Sequence, residues 1–107
     1  MFKPGRPVHP SNGNGTAPNA ATTPAGVEVS FDAGPNRGRG STVQVIISNR
    51  ELAAGNPLEV SFADGRDGRW FAIMPQMTLL FNVSIHRCRL RGASGATADY
   101  SIMGIIA

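Results

Sequence analysis

The stretch Met77–Gly92, MTLLFNVSIHRCRLRG, decides the fold. In its first half Leu79, Phe81, Val83 and Ile85 fall on one parity and Leu80, Asn82, Ser84 and His86 on the other, the period of two that a β-strand imposes on its side chains. After Ile85 the apolar parity switches: Cys88 and Leu90 share a face with His86, while Arg87, Arg89 and Arg91 follow Ile85. A switch inside one extended segment predicts a β-bulge or a bend that carries the chain from one sheet to another. Partial cover of both faces is the alternative. The same reading gives a strand with one basic face and a buried thiol, Cys88, on the other.

Upstream the alternation recurs. VEVSF, residues 27–31, sets Val27, Val29 and Phe31 against Glu28 and Ser30; STVQVIIS, 41–48, repeats the device with Val43, Val45 and Ile47; PLEVSF, 57–62, with Leu58, Val60 and Phe62. DAGPNRGRG and NRELAAGNP separate these runs, and ADGRDG precedes the apolar RWFAIM; all three are dense in turn formers. Downstream, TADYSIMGIIA places Ala98, Tyr100 and Ile102 on one face. No amphipathic helix of three turns is evident, and only NRELAAG could form a short helical turn. The fold class expected is all-β, a small antiparallel β-sandwich or barrel of about six to eight strands.

The N-terminal part differs. GRPVHPSNGNGTAPNAATTPA, residues 5–25, is proline, glycine, asparagine, threonine and alanine with almost no large apolar side chain, which offers little burial against ordering entropy. It reads as a disordered or extended arm over residues 1–25, followed by a single domain over 26–107. Such an arm is either an idle terminus or a segment that orders on a neighbouring subunit.

Composition excludes more than it identifies. The chain has 107 residues, 41% hydrophobic and 16% charged, which suits one domain with a modest core. A single cysteine excludes an internal disulfide framework. His9 and His86 are far apart in sequence, and Asp64 and Asp67 lie in a turn where aspartate is favoured for backbone reasons, so neither a catalytic grouping nor metal-ligand spacing is present. No enzyme activity, cofactor or metal is expected. The opening MFKPGRPVHP lacks the apolar run of a signal peptide, and no stretch is long enough to cross a bilayer, so the expectation is synthesis in a cytoplasm and no membrane partner. GPNRGRGS, 34–41, lacks the lysine and the following helix of a phosphate loop and reads as a hairpin loop.

The net charge is +3, and every cation but Lys3 is arginine, the residue favoured in interfaces and fixed ion pairs. Arg87, Arg89 and Arg91 admit three readings. They can guard the end of an aggregation-prone strand, pair across strands with Glu28, Glu59 or Asp99, or dock on an acidic surface. Trp70, beside Arg66 and Arg69, either caps the core or contacts a partner.

The whole pattern, a polar Pro/Gly/Asn/Thr arm followed by a compact all-β domain ending in GATADYSIMGIIA, resembles the small virion proteins of tailed bacteriophages, in particular their capsid decoration or cement proteins. The resemblance implies a structural protein of the virion that binds the outside of the head and clamps neighbouring capsomers. It implies the major capsid protein or another virion protein as partner, and a homo-oligomer, a trimer being favoured. Arg87, Arg89, Arg91, Arg66, Arg69 and Trp70 would then meet the partner, with arm contacts from Phe2, Lys3, Arg6 and Val8. Tail, connector or fibre-base proteins would present the same features. Two other classes are a nucleic-acid-binding β-barrel using Arg87, Arg89, Arg91, Arg37 and Arg39, and a carbohydrate-binding sandwich using Trp70 and Tyr100. Of these partners, nucleic acid is the less expected.

Overall fold

A computed structural model describes residues 6–10, 12–31, 42–62, 69–93 and 95–106. Among them are nine strands and no helix: β1 (Arg6–Val8), β2 (Asn14–Ala17), β3 (Val27–Ser30), β4 (Thr42–Asn49), β5 (Leu58–Ser61), β6 (Phe71–Ile73), β7 (Thr78–Phe81), β8 (Arg87–Gly92) and β9 (Ala98–Ile106). They form two antiparallel sheets. The first runs β1-β9-β4-β7 with β2 also on β9, and the second runs β3-β8-β5-β6.

Taking β1 and β2 as one interrupted strand along β9, this order is that of a jelly roll, in which successive strands alternate between the two sheets except at the β5–β6 pair. The parity switch in Met77–Gly92 is the visible trace of one such crossing. β7 belongs to the first sheet, residues 82–86 are not strand, and β8 belongs to the second. The crossing is held by Thr42, whose hydroxyl donates to the Val83 carbonyl at 2.8 Å and accepts from the Ile85 amide at 3.1 Å. Its own amide donates to the Ile85 carbonyl.

The core lies between the sheets. Val29, Phe31, Val45, Ile47, Leu58, Val60, Cys88, Leu90, Ala98, Tyr100 and Ile102 are buried, and Val27, Phe62, Leu79, Phe81, Val83 and Ile85 pack against them. Val43 departs from the expected alternation and is 46% exposed. The β4–β9 register shifts between Thr42 and Gln44, so Val43 is an extra residue in the ladder and Thr42 takes the buried position.

Arg6–Val8 and Asn14–Ala17, expected in an arm, are strands of the first sheet. β1 pairs Arg6 with Ile106 and Val8 with Gly104, and β2 pairs Asn14 with Ser101 and Ala17 with Ala98. Among the described residues the first sheet thus begins at Arg6, ahead of the boundary expected at residue 26. Its entropy cost is met by ladder hydrogen bonds to the long β9, by burial of Ala17 and by Val8 packed on the core. Residues 18–25 continue along β8: Asn19 bridges to Gly92, whose amide donates to the Pro18 carbonyl.

Candidate functional site

The basic face of β8 lies on the outside of the second sheet, where Cys88 and Leu90 point to the core and the arginines to the opposite side. Register brings a carboxylate directly across from two of them, Glu28 of β3 opposite Arg89 and Glu59 of β5 opposite Arg91. Arg89 reaches Glu28 at 3.4 Å, and Arg87 approaches the same carboxylate at 3.9 Å. Arg91 donates from Nε to Glu59 at 2.8 Å and from Nη1 to the Pro24 carbonyl at 2.6 Å. Its guanidinium also lies over the Trp70 ring, 3.8 Å from the centroid.

The cross-strand pairing anticipated for Glu28 and Glu59 is therefore present. Asp99 belongs elsewhere: it accepts from the Thr16 hydroxyl on the first sheet. Two glutamates against three arginines leave one positive charge in excess, and each pair is partly solvated, so the network contributes on the order of 1 kcal/mol per pair. Its chemistry is that of a clasp. Arg89 and Arg91 both donate to carbonyls of the 18–26 segment, at Ala25 and Pro24, and so tie that segment to β8.

Trp70 is half-buried under Arg91, which makes it a cap on the network. Arg69 is exposed, and Arg66 lies outside the described residues, as do Phe2, Lys3, Arg37, Arg39 and the loop 34–41. Arg6 is exposed on β1, whereas Val8 is half-buried and packs on this chain's own core. Tyr100 is buried, its hydroxyl donating to the Asn12 carbonyl at 2.8 Å. Burial pushes the Cys88 thiol up to about 12, so it stays protonated and unreactive at neutral pH. Among the described residues no group of three or more His, Cys, Asp or Glu could hold a metal, and no helix is long and apolar enough to cross a membrane.

A second surface feature escaped the sequence reading. Phe71, Met74, Met77 and Leu80 are all exposed, and they lie on or between β6 and β7, the edge strands of the two sheets on one side of the sandwich. Phe71 leans on Phe62, ring centroids 6.1 Å apart, and Phe62 meets Phe81 edge-on at 5.1 Å, so this apolar edge is continuous with the core. The signal was the consecutive apolar pairs Phe71-Ala72 and Leu79-Leu80, which supply both faces of an edge strand.

These surfaces belong to a small all-β sandwich that presents one charge-paired face and one apolar edge. Compared with known proteins, the chain matches no protein-family model, no curated protein and no solved structure.

Proposed function

We propose that this protein is a structural component of a bacteriophage virion, a decoration or cement protein that binds the outer surface of the head through protein–protein contacts. The observation that carries the reading is the row of exposed apolar side chains along the β6–β7 edge, Phe71, Met74, Met77 and Leu80. An apolar edge open to solvent is a liability in an isolated domain and an asset in one that is covered on assembly. The jelly-roll strand order is compatible, since it recurs in viral capsid domains, although the same order also serves lectins and cupins.

The other classes have less to stand on. A phosphate-binding face wants cations whose donors are available, and Arg89 and Arg91 already spend theirs on Glu28, Glu59 and backbone carbonyls. A glycan platform wants open aromatic faces, yet Arg91 lies over Trp70 and Tyr100 is in the core.

The test is quantitative mass spectrometry of purified virions of the phage whose genome carries this reading frame. Many copies per particle, removed when Met74 and Met77 are both changed to glutamate in the phage, are expected. A protein found in the infected cell and absent from the particle would sink the reading.

A further inference from the structure

The two sheets leave four edges among the described residues, and three of them carry a device that discourages a further strand. β3 presents Glu28, whose carbonyl already accepts from the Asn12 side-chain amide at 2.8 Å. The edge formed by β1 and β2 carries Pro7 and is interrupted by residues 9–13, across which the register on β9 shifts. β6 is three residues long and follows the exposed Arg69. β7 has none of these: Thr78–Phe81 pairs with β4 without a register break, and residues 74–85 hold no charged side chain.

The ladder on β4 fixes which backbone groups of β7 are used. Asn49 donates its amide to the Met77 carbonyl at 2.9 Å, so in the antiparallel register Met77, Leu79 and Phe81 turn their amides and carbonyls to β4. Thr78 and Leu80 turn theirs the other way, where no strand lies among the described residues. Two donors and two acceptors therefore face outward at the spacing of a strand, a pattern that another extended segment matches group for group. Both ends of β7 are fixed beforehand. The preceding turn is closed by the Met77 amide on the Met74 carbonyl at 3.1 Å and by the Gln76 amide on the Asn49 carbonyl at 3.0 Å, and beyond β7 Thr42 holds the Val83 carbonyl at 2.8 Å. An incoming strand meets a template already ordered, which lowers the cost of association.

We propose that an extended segment of the virion protein bound by this chain adds to β7 as a further strand of the first sheet. Such pairing rests on the virion reading above and specifies how the β6–β7 edge is used: the backbone sets the position, and the exposed Met77 and Leu80 add apolar contact beside it. β7 also specifies the chemistry of the incoming strand. It carries a polar residue opposite Thr78 and apolar residues opposite Leu79, Leu80 and Phe81, since Leu79 and Phe81 pack against the core. Proline is absent from the positions opposite Thr78 and Leu80, where an amide has to be donated.

The experiment has two readouts on phage carrying the full chain. The first is the copy number per virion of T78P, which removes the outward Thr78 amide that the β4 ladder does not use, and of T16P, the same change at an outward position of β2 on the opposite edge. T78P is expected to fold with an unfolding temperature near that of the parent and to fall at least about tenfold in copies per particle, whereas T16P stays at the parental number. The second is hydrogen exchange over residues 78–81, in the free chain and on the particle. The Thr78 and Leu80 amides are expected to exchange quickly in the free chain and at least about tenfold more slowly on the particle. A folded T78P at parental copy number overturns the proposal, and so do amides that exchange alike free and bound. Protection of both amides already in the free chain would show the edge covered by a second copy and overturns it too. All three results leave the virion reading intact while the parent is found on the particle; its absence there sinks both.

Discussion

Arg91 is held from three directions at Trp70: the guanidinium covers the ring at 3.8 Å while its edge bonds Glu59 and the Pro24 carbonyl. Trp70 is the chain's single tryptophan, so its fluorescence reports this contact alone. R91A is expected to shift the emission to the red, raise acrylamide quenching and lower stability by about 1–2 kcal/mol. R91K should recover little of it, because an ammonium cannot stack on the ring and bond two acceptors in the plane of a fork. An emission spectrum unchanged in R91A would show that the stack does not persist in solution.

Gly104 sits in the middle of β9 because Phe31 lies across it. A Cβ there would come 2.7 Å from the Phe31 ring and 2.9 Å from the Thr42 methyl. G104A is expected to cost about 1–3 kcal/mol, the usual range for overpacking a filled core. Chemical denaturation of G104A, F31L and the double variant separates steric crowding from a general strand defect. The double variant should be less destabilised than the sum of the two single changes, and simple additivity would refute the crowding account.

The share of this molecule legible in its sequence follows from the range of the interactions involved. Alternation is local, so β3, β4, β5 and the sheet change in Met77–Gly92 could be read from the residues. β1 and β2 could not, since NGTA and RPV carry no period and are strands only because β9, more than eighty residues on, offers them an edge. Val43 was placed inward and Thr42 overlooked because a bulge leaves no mark in the alternation itself. The arginine ladder was half visible: the residue types named the pairing, but only register chose Glu28 and Glu59 over Asp99. Apolar residues at outward positions of the first sheet were written in the doublets Ile46-Ile47, Leu79-Leu80 and Ile102-Met103, each giving both faces of its strand.

Asn49, at the end of β4, is buried and joins three segments. Its amide nitrogen donates to the Ile73 carbonyl at 2.8 Å and the Asn56 carbonyl at 3.0 Å, and its oxygen accepts from the Glu51 amide. N49A leaves these groups without partners and is expected to cost about 2–3 kcal/mol. Hydrogen exchange should show the loss of protection centred on the 49–58 connection and on β6, where the bonds end. A variant with parental stability would mean that water replaces the amide at no cost.

The core also sets a limit on alkaline stability. Burial raises the Cys88 thiol from 9.0 to about 12, and it raises the Tyr100 hydroxyl above 10.0, with repulsion from the Cys88 thiolate adding to it. Each group holds its proton more tightly folded than unfolded, so the stabilisation is complete below pH 9 and is lost as pH climbs towards 12. The unfolded chain releases the Cys88 proton first, and stability then falls by up to about 1.4 kcal/mol per pH unit from that group. Urea midpoints measured between pH 8 and pH 11 should decline in the native chain. C88V, which keeps an apolar side chain of similar size in the same place, should remove the earlier part of that decline and leave the part that belongs to Tyr100. If C88V and the parent fall together from pH 9, the thiol is not shielded and the core near β8 admits water.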